Sequence, residues 1–158
     1  MQLVMYQPDI PHNLGSFIRL GVCFSVSIHV VEPCGFPFDD KRIKSRALDY
    51  GEHVDLIRHA SWDAFQAYRL TRGGRLILAS TRGATSLYEH VFQPDDWLIF
   101  GSESSGVHEL VHQCSDARVI IPIAFNGRSL NVAIAAAIVL SEGLRQCSLT
   151  PAISRMID

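Results

Sequence analysis

An α/β fold built on a mainly parallel sheet, with helices on both faces, is predicted by three features of the sequence. Short apolar runs alternate with amphipathic segments along the chain. Several of these runs are apolar without a break, as strands covered on both faces tend to be. Glycine and polar residues gather just after three of the runs, where an open α/β sheet presents its ligand-binding ends.

The elements follow in order. Leu3–Tyr6 is the first strand, ended by the turn at Pro8. Asn13 is placed to cap a helix over Leu14–Phe24, with Gly15 permitting close approach. Ile28–Val31 is the second strand, Asp40–Ala47 a helix, and Val54–Ile57 the third strand. Ser61 is a credible N-cap for a helix over Trp62–Leu70, with Asp63 in its first turn. Arg72-Gly73-Gly74-Arg75 is a turn before the strand Leu76–Ser80. Trp97–Phe100 and Val119–Ile121 are strands separated by a helix over His108–Cys114. The final helix, Val132–Gln146, is apolar nearly all round at its start, which predicts burial on most sides. Its small residues also allow a second subunit to approach.

With 158 residues and 47% hydrophobic content, the chain suits one domain, residues 1–158, with its own core. Its net charge of −2 lacks the basic balance of many nucleic-acid binders, so any RNA footprint must be local. Cys23, Cys34, Cys114 and Cys147 form no C-x-x-C pair and read as reduced thiols. The first residues show neither a basic n-region nor a long apolar stretch, so no signal peptide is expected. The longest apolar run, Val132–Leu140, is too short to span a bilayer. The expectation is a cytoplasmic protein without a membrane partner.

Three loops could carry chemistry. Asn13-Leu14-Gly15-Ser16-Phe17-Ile18-Arg19 follows the first strand, and on its own reads more readily as an ordinary helix start with a surface arginine. Gly101-Ser102-Glu103-Ser104-Ser105-Gly106-Val107 follows Phe100. Its two glycines would let a ligand touch backbone, although a plain turn with Glu103 favoured by the following helix N-terminus is as good a reading. It matches neither a Walker A loop nor a dinucleotide fingerprint. Ile121-Pro122-Ile123, then Asn126-Gly127-Arg128-Ser129-Leu130-Asn131, opens the last helix, with Ser129 or Asn131 as its cap.

Two further signals compete. His108-Glu109-Leu110-Val111-His112 matches H-E-x-x-H, in which two histidines on one helix face could hold zinc beside a general base. A zinc hydrolase is therefore a rival reading, although a buried stripe of Val107, Leu110 and Val111 explains the segment as well. Lys41, Arg42, Lys44 and Arg46 form the densest positive patch. They serve either as a solvated helix face or as a contact for RNA phosphate.

Taken in order, the three loops resemble the three motifs of the SpoU (TrmH-like) branch of the SPOUT methyltransferases. Asn13-x-Gly15-x-x-x-Arg19 resembles the first, Gly101-x-Glu103-x-x-Gly106-Val107 the second, and Ile121-Pro122 through Ser129-Leu130-Asn131-Val132-Ala133 the third. Val31-Glu32-Pro33-Cys34-Gly35-Phe36-Pro37-Phe38-Asp39-Asp40-Lys41-Arg42, with Leu48-Asp49-Tyr50, is similar to the small tRNA subfamily. That subfamily methylates the ribose of the anticodon wobble nucleotide, a cytidine or modified uridine. The resemblance covers essentially the whole chain.

The resemblance implies a C-terminal trefoil knot, S-adenosyl-L-methionine (SAM) bound in a bent shape, no metal, and a homodimer whose site draws on both subunits. SAM would contact Ala79, Ser80, Thr81, Gly101, Ile121, Ser129 and Leu130, with Glu103 and Asn131 bracing the loops. Arg19 matches the catalytic arginine. A non-catalytic RNA-binding relative would share these motifs. The chain departs from its close relatives at His12, Leu14 and Ser16, and at Ser102 and Ser105, where proline and arginine are frequent.

Overall fold

The computed structural model describes residues 1–38, 55–83, 85–124, 129–149 and 151. Among the described residues seven strands form one sheet: β1 (Gln2–Tyr6), β2 (Ile28–Val31), β3 (Leu56–His59), β4 (Leu76–Ala79), β5 (Thr85–Ser86), β6 (Trp97–Phe100) and β7 (Ala117–Ile120). Their order is β3-β2-β1-β6-β4-β7-β5, and every pairing is parallel. The described helices are α1 (Pro11–Phe24), α2 (Trp62–Leu70), α3 (Glu109–Cys114) and α4 (Val132–Gln146).

Alternate residues of each central strand serve opposite faces. Leu3, Met5, Ile77, Leu98 and Phe100 pack with Leu14, Phe17, Val139, Leu140 and Leu144 of α1 and α4. Val4, Tyr6, Leu76, Leu78, Trp97 and Ile99 pack with Phe65 of α2 and Val111 of α3. Both faces being apolar is why these strands read as unbroken hydrophobic runs.

Several boundaries differ from the sequence expectation. α1 begins at Pro11, not Leu14, because proline at the first helical position is pre-set for the helix. Ile10 is its N-cap, so Asn13 lies inside the helix and is freed for another task. β3 runs over Leu56–His59 rather than Val54–Ile57, in register with β2 from Ile28 opposite Leu56 to Val31 opposite His59. β7 starts two residues early, at Ala117, where it pairs with Ile77. β5 has only two residues and left no pattern to read. Ser61 does cap α2, accepting from Ala64 N–H at 3.1 Å. Asn131, not Ser129, caps α4 by accepting from the N–H groups of Ala133 and Ile134. α4 is buried on one face only, through Ala136, Val139, Leu140, Gly143 and Leu144, while Ile134 is 54% exposed. The expected helix over Asp40–Ala47 and the cluster Lys41, Arg42, Lys44 and Arg46 lie outside the described residues. So do residues 125–128.

The core holds a pair of histidines. His29 Nδ1 and His59 Nε2 lie 2.9 Å apart, with the rings stacked and walled by Phe65, Tyr68 and Trp97. Burial, then the neighbouring His59, lowers His29 from 6.5 to about 4; burial and then Arg72 lower His59 as well. Both rings are therefore neutral in the fold, whereas the unfolded chain takes up protons near 6.5. Stability is complete above that value and declines as pH falls towards about 4, at up to roughly 1.4 kcal/mol per pH unit for His29, with His59 acting in the same direction. The urea midpoint should accordingly drop between neutral pH and pH 5 or so, and the slope should shrink in His29→Gln. A midpoint flat across that window would contradict the assignment.

Candidate functional site

At the carboxyl ends of β4, β6 and β7 the chain encloses a cleft of about 530 Å³. The cleft reaches the β1–β6 boundary, where the strand order reverses, through Ile10 and Asn13 beyond β1 and Gly101 beyond β6. Ala79 ends β4 and Ser80 and Thr81 follow it, Gly101 and Glu103 follow β6, and Ile121 follows β7. Ser129, Leu130 and Asn131 lead into α4, and all nine line the cleft. Leu78, Phe100 and Val119 form apolar walls beneath them. Arg19 does not line it, standing exposed on α1.

The loops are tied together by side-chain amides. Asn13 Nδ2 donates to Glu103 Oε1 at 2.6 Å, Asn131 Nδ2 donates to Asn13 Oδ1 at 2.9 Å, and Asn131 Oδ1 accepts from Ala133 N–H at 2.9 Å. The direction of this chain is forced. An ionised carboxylate only accepts, so Asn13 must turn its amine to Glu103 and its oxygen to Asn131. Asn131 in turn has its oxygen left for the unsatisfied N–H groups that open α4. Glu103 Oε2 also accepts from Asp9 N–H at 2.8 Å. Glu103 thus faces the entry to α1 rather than the start of the helix that follows it.

Asn13→Ala removes both bonds from a side chain that is 4% exposed and leaves two partners unmatched. The expected loss is about 1–3 kcal/mol in urea unfolding. Asn13→Asp should cost more than the alanine, because it sets a second carboxylate against Glu103. A harmless Asn13→Asp would show that the brace carries no energy.

The loop after β6 is a tight turn. Ser102 N–H donates to Gly106 carbonyl at 2.9 Å and Gly106 N–H returns to Ser102 carbonyl at 3.0 Å. Gly106 has φ of +71°, which glycine adopts without the cost a side chain brings. Asp9 accepts from Ser104 N–H at 3.0 Å and from Ser104 Oγ, and these bonds hold its carboxyl below the ordinary range. Ser102 and Ser105 join hydroxyls at 2.8 Å.

The zinc reading fails on geometry. His108 is the N-cap of α3 and lies before the helix, so it does not share a helical face with His112. Its ring instead sits edge-on to Tyr6. His112 is buried, and its Nε2 is taken by Arg82 Nη2 at 2.9 Å. Burial, then Arg82, lowers the His112 pKa. Among the described residues no group of three His, Cys, Asp or Glu is placed to hold a metal. Arg82 and His112 also line the cleft; the sequence offered His112 only as a zinc ligand and missed Arg82 and their pairing, since nothing local links residues thirty apart.

The SpoU rRNA Methylase family matches residues 1–141. A tRNA (cytidine(34)-2'-O)-methyltransferase of Beijerinckia indica subsp. indica is 46% identical over 99% of this chain and 96% of its own length. Another with the same description, from Ancylobacter novellus, is 43% identical over 92% of each. A solved structure described as "Structural insights into the 2-OH methylation of C/U34 on tRNA" has a TM-score of 0.85 and 39% identity, covering 92% of this chain and 94% of that one. The SpoU methyltransferase AviRb of Streptomyces viridochromogenes, solved with AdoMet, has a TM-score of 0.84 over 92% of this chain and 60% of its own. At 23% identity that likeness speaks to the fold. By family match, full-length identity and fold, this chain belongs to the SpoU rRNA methylase family.

Proposed function

We propose that the chain, acting as one domain over 1–158, is a SAM-dependent tRNA methyltransferase that modifies the ribose 2′-hydroxyl of the wobble nucleotide. The observation that carries this is the meeting of three motif loops in one cleft, hydrogen-bonded to one another through Asn13. The choice of tRNA and position 34 is supported by the relatives 46% and 43% identical over nearly their whole length.

The cleft suits SAM. Its volume of about 530 Å³ falls in the usual cofactor range. Leu78, Phe100 and Val119 can cover the faces of an adenine, and the loops at Ala79–Thr81, Gly101, Ile121 and Ser129–Leu130 bring backbone groups to its edge. When bound, this group supplies a methyl on a sulfonium, ready for in-line attack by oxygen. Glu103 and Asn131 brace the loops that orient the two reactants.

Arg19 is the proposed catalytic residue. Arginine resists deprotonation, so it serves as a fixed cation that grips phosphate and stabilises charge developing on the ribose oxygen. The proton leaves to phosphate or water. Because Arg19 does not line the cleft of its own chain, a second copy would supply it. Ile134, 54% exposed, and Leu130, 38% exposed, offer apolar surface at α4 for that homodimer. Lys41, Arg42, Lys44 and Arg46 are proposed to meet RNA phosphates. No helix among the described residues is long and apolar enough to cross a membrane. We place the enzyme in the cytoplasm with its tRNA.

Methyl transfer from labelled SAM to tRNA lacking its native modifications, followed by nuclease digestion, tests the proposal. The label should appear as a 2′-O-methyl at nucleotide 34, and should be lost in Arg19→Ala and largely in Arg19→Lys. Label at another nucleotide would overturn the substrate. Full turnover in both Arg19 variants would overturn its role.

A further inference from the structure

Arg82 is held in place twice. Its N–H donates to Ser80 Oγ at 3.1 Å within a turn closed by Gly83 N–H on Ser80 carbonyl at 3.0 Å. A Cβ on Gly83 would lie 2.5 Å from the Val119 backbone, so that turn is pressed onto β7. Its guanidinium donates from Nη2 to His112 Nε2 at 2.9 Å, which requires that ring nitrogen to be unprotonated. Burial and the facing Arg82 keep the ring neutral. Among the described residues Arg82 has no carboxylate partner.

An arginine fixed at head and backbone, without a counter-ion, on the lining of a ligand cleft is arranged to receive an anion. The other charged residue of that lining among the described residues, Glu103, is committed to Asn13 and Asp9. A neutral imidazole suits the task, because it orients the guanidinium without cancelling its charge. His112 Nδ1 is buried with no hydrogen-bond partner, so the ring is kept there at a cost.

Resting on the reading of this cleft as a SAM and RNA site, we propose that Arg82 is its oxyanion-binding residue and that His112 is the positioning residue that aims it. The anion is either the carboxylate of the methionine tail or a phosphate of the RNA.

Calorimetry with S-adenosylhomocysteine, its decarboxylated analogue and unmodified tRNA tests this on the full chain. If the carboxylate is the ligand, Arg82→Ala should weaken S-adenosylhomocysteine by about tenfold or more and leave the decarboxylated analogue unchanged. If phosphate is the ligand, both small molecules should bind as before. tRNA should then weaken by a similar factor, with its salt slope reduced by about one. His112→Ala should reproduce most of the loss, and His112→Gln, whose amide oxygen can accept from Arg82, should restore part of it. A merely structural role for His112 would lower stability without that split between ligands. Unchanged binding of all ligands by Arg82→Ala, in a protein whose wild type binds S-adenosylhomocysteine, overturns this inference alone. A wild type that binds neither S-adenosylhomocysteine nor tRNA overturns the reading of the cleft and this inference together.

Discussion

Gly101→Ala should reduce methyl transfer by about 10²-fold while leaving a folded protein. An ideal Cβ at this position lies 2.5 Å from the Gly106 carbonyl carbon and 2.7 Å from its Cα. Those are backbone atoms in a turn closed by two hydrogen bonds between Ser102 and Gly106, so no side chain can swing aside. The turn itself must open. It carries Glu103, whose two oxygens tie the loop to Asn13 and to Asp9. The displacement therefore reaches the brace that sets the other two loops. Overpacking of this kind costs about 1–3 kcal/mol, less than the stability of an ordinary domain. Thermal melting should show a modest shift, single-turnover assays a large one. An alanine variant with ordinary turnover would mean that the turn is free to adjust and that its closure is irrelevant to the chemistry.

Asp96→Ala should show the opposite division, a large loss of stability with the cleft left intact. Asp96 is fully buried and accepts from Arg75 Nε at 2.9 Å, Arg75 Nη2 at 2.8 Å and Gln93 N–H at 2.8 Å. The carboxylate holds the Arg75 pKa above its ordinary value, chiefly through these bonds. Removing it leaves the guanidinium without its carboxylate, held only by Nη2 on the Val91 carbonyl at 2.9 Å, and orphans the Gln93 N–H. Breaking a buried pair costs about 3–5 kcal/mol, and because the Arg75 side chain keeps 32% exposure the lower end is expected, about 3 kcal/mol. The pair joins the starts of β4 and β6, the sheet end away from the cleft. Denaturant midpoints should thus fall sharply, while S-adenosylhomocysteine affinity measured well below the transition stays near that of the parent. A loss of unfolding free energy below about 1 kcal/mol would show that water replaces the carboxylate without difficulty.

Much of the fold was legible because it rests on local periodicity. Leu3–Tyr6 and Trp97–Phe100 are apolar at every position since α1 and α4 cover one sheet face and α2 and α3 the other. Ser61 and Asn131 are caps because their side chains answer N–H groups two or three residues away. Motif order was legible for the same reason, each loop following directly on a strand. Errors arose where the deciding partner is remote. Asn13 resembles a cap, yet Pro11 starts the helix earlier and leaves its amide for Glu103, ninety residues on. His108 and His112 have metal-ligand spacing, yet the helix begins at Glu109 and Arg82 occupies the second ring.

By itself, then, the sequence determined the parallel α/β architecture, the positions of most strands and helices, and the three loops that line the cleft. Those depend on side-chain polarity and turn chemistry over a few residues, which any reader of the chain can see. Only the tertiary structure decided which of those loops' polar groups bond to each other, that Glu103 serves the entry to α1, and that Arg82 stands against His112. Such pairings are set by the strand order, which lays β4, β6 and β7 side by side and carries residues from distant parts of the chain to within 3 Å of one another.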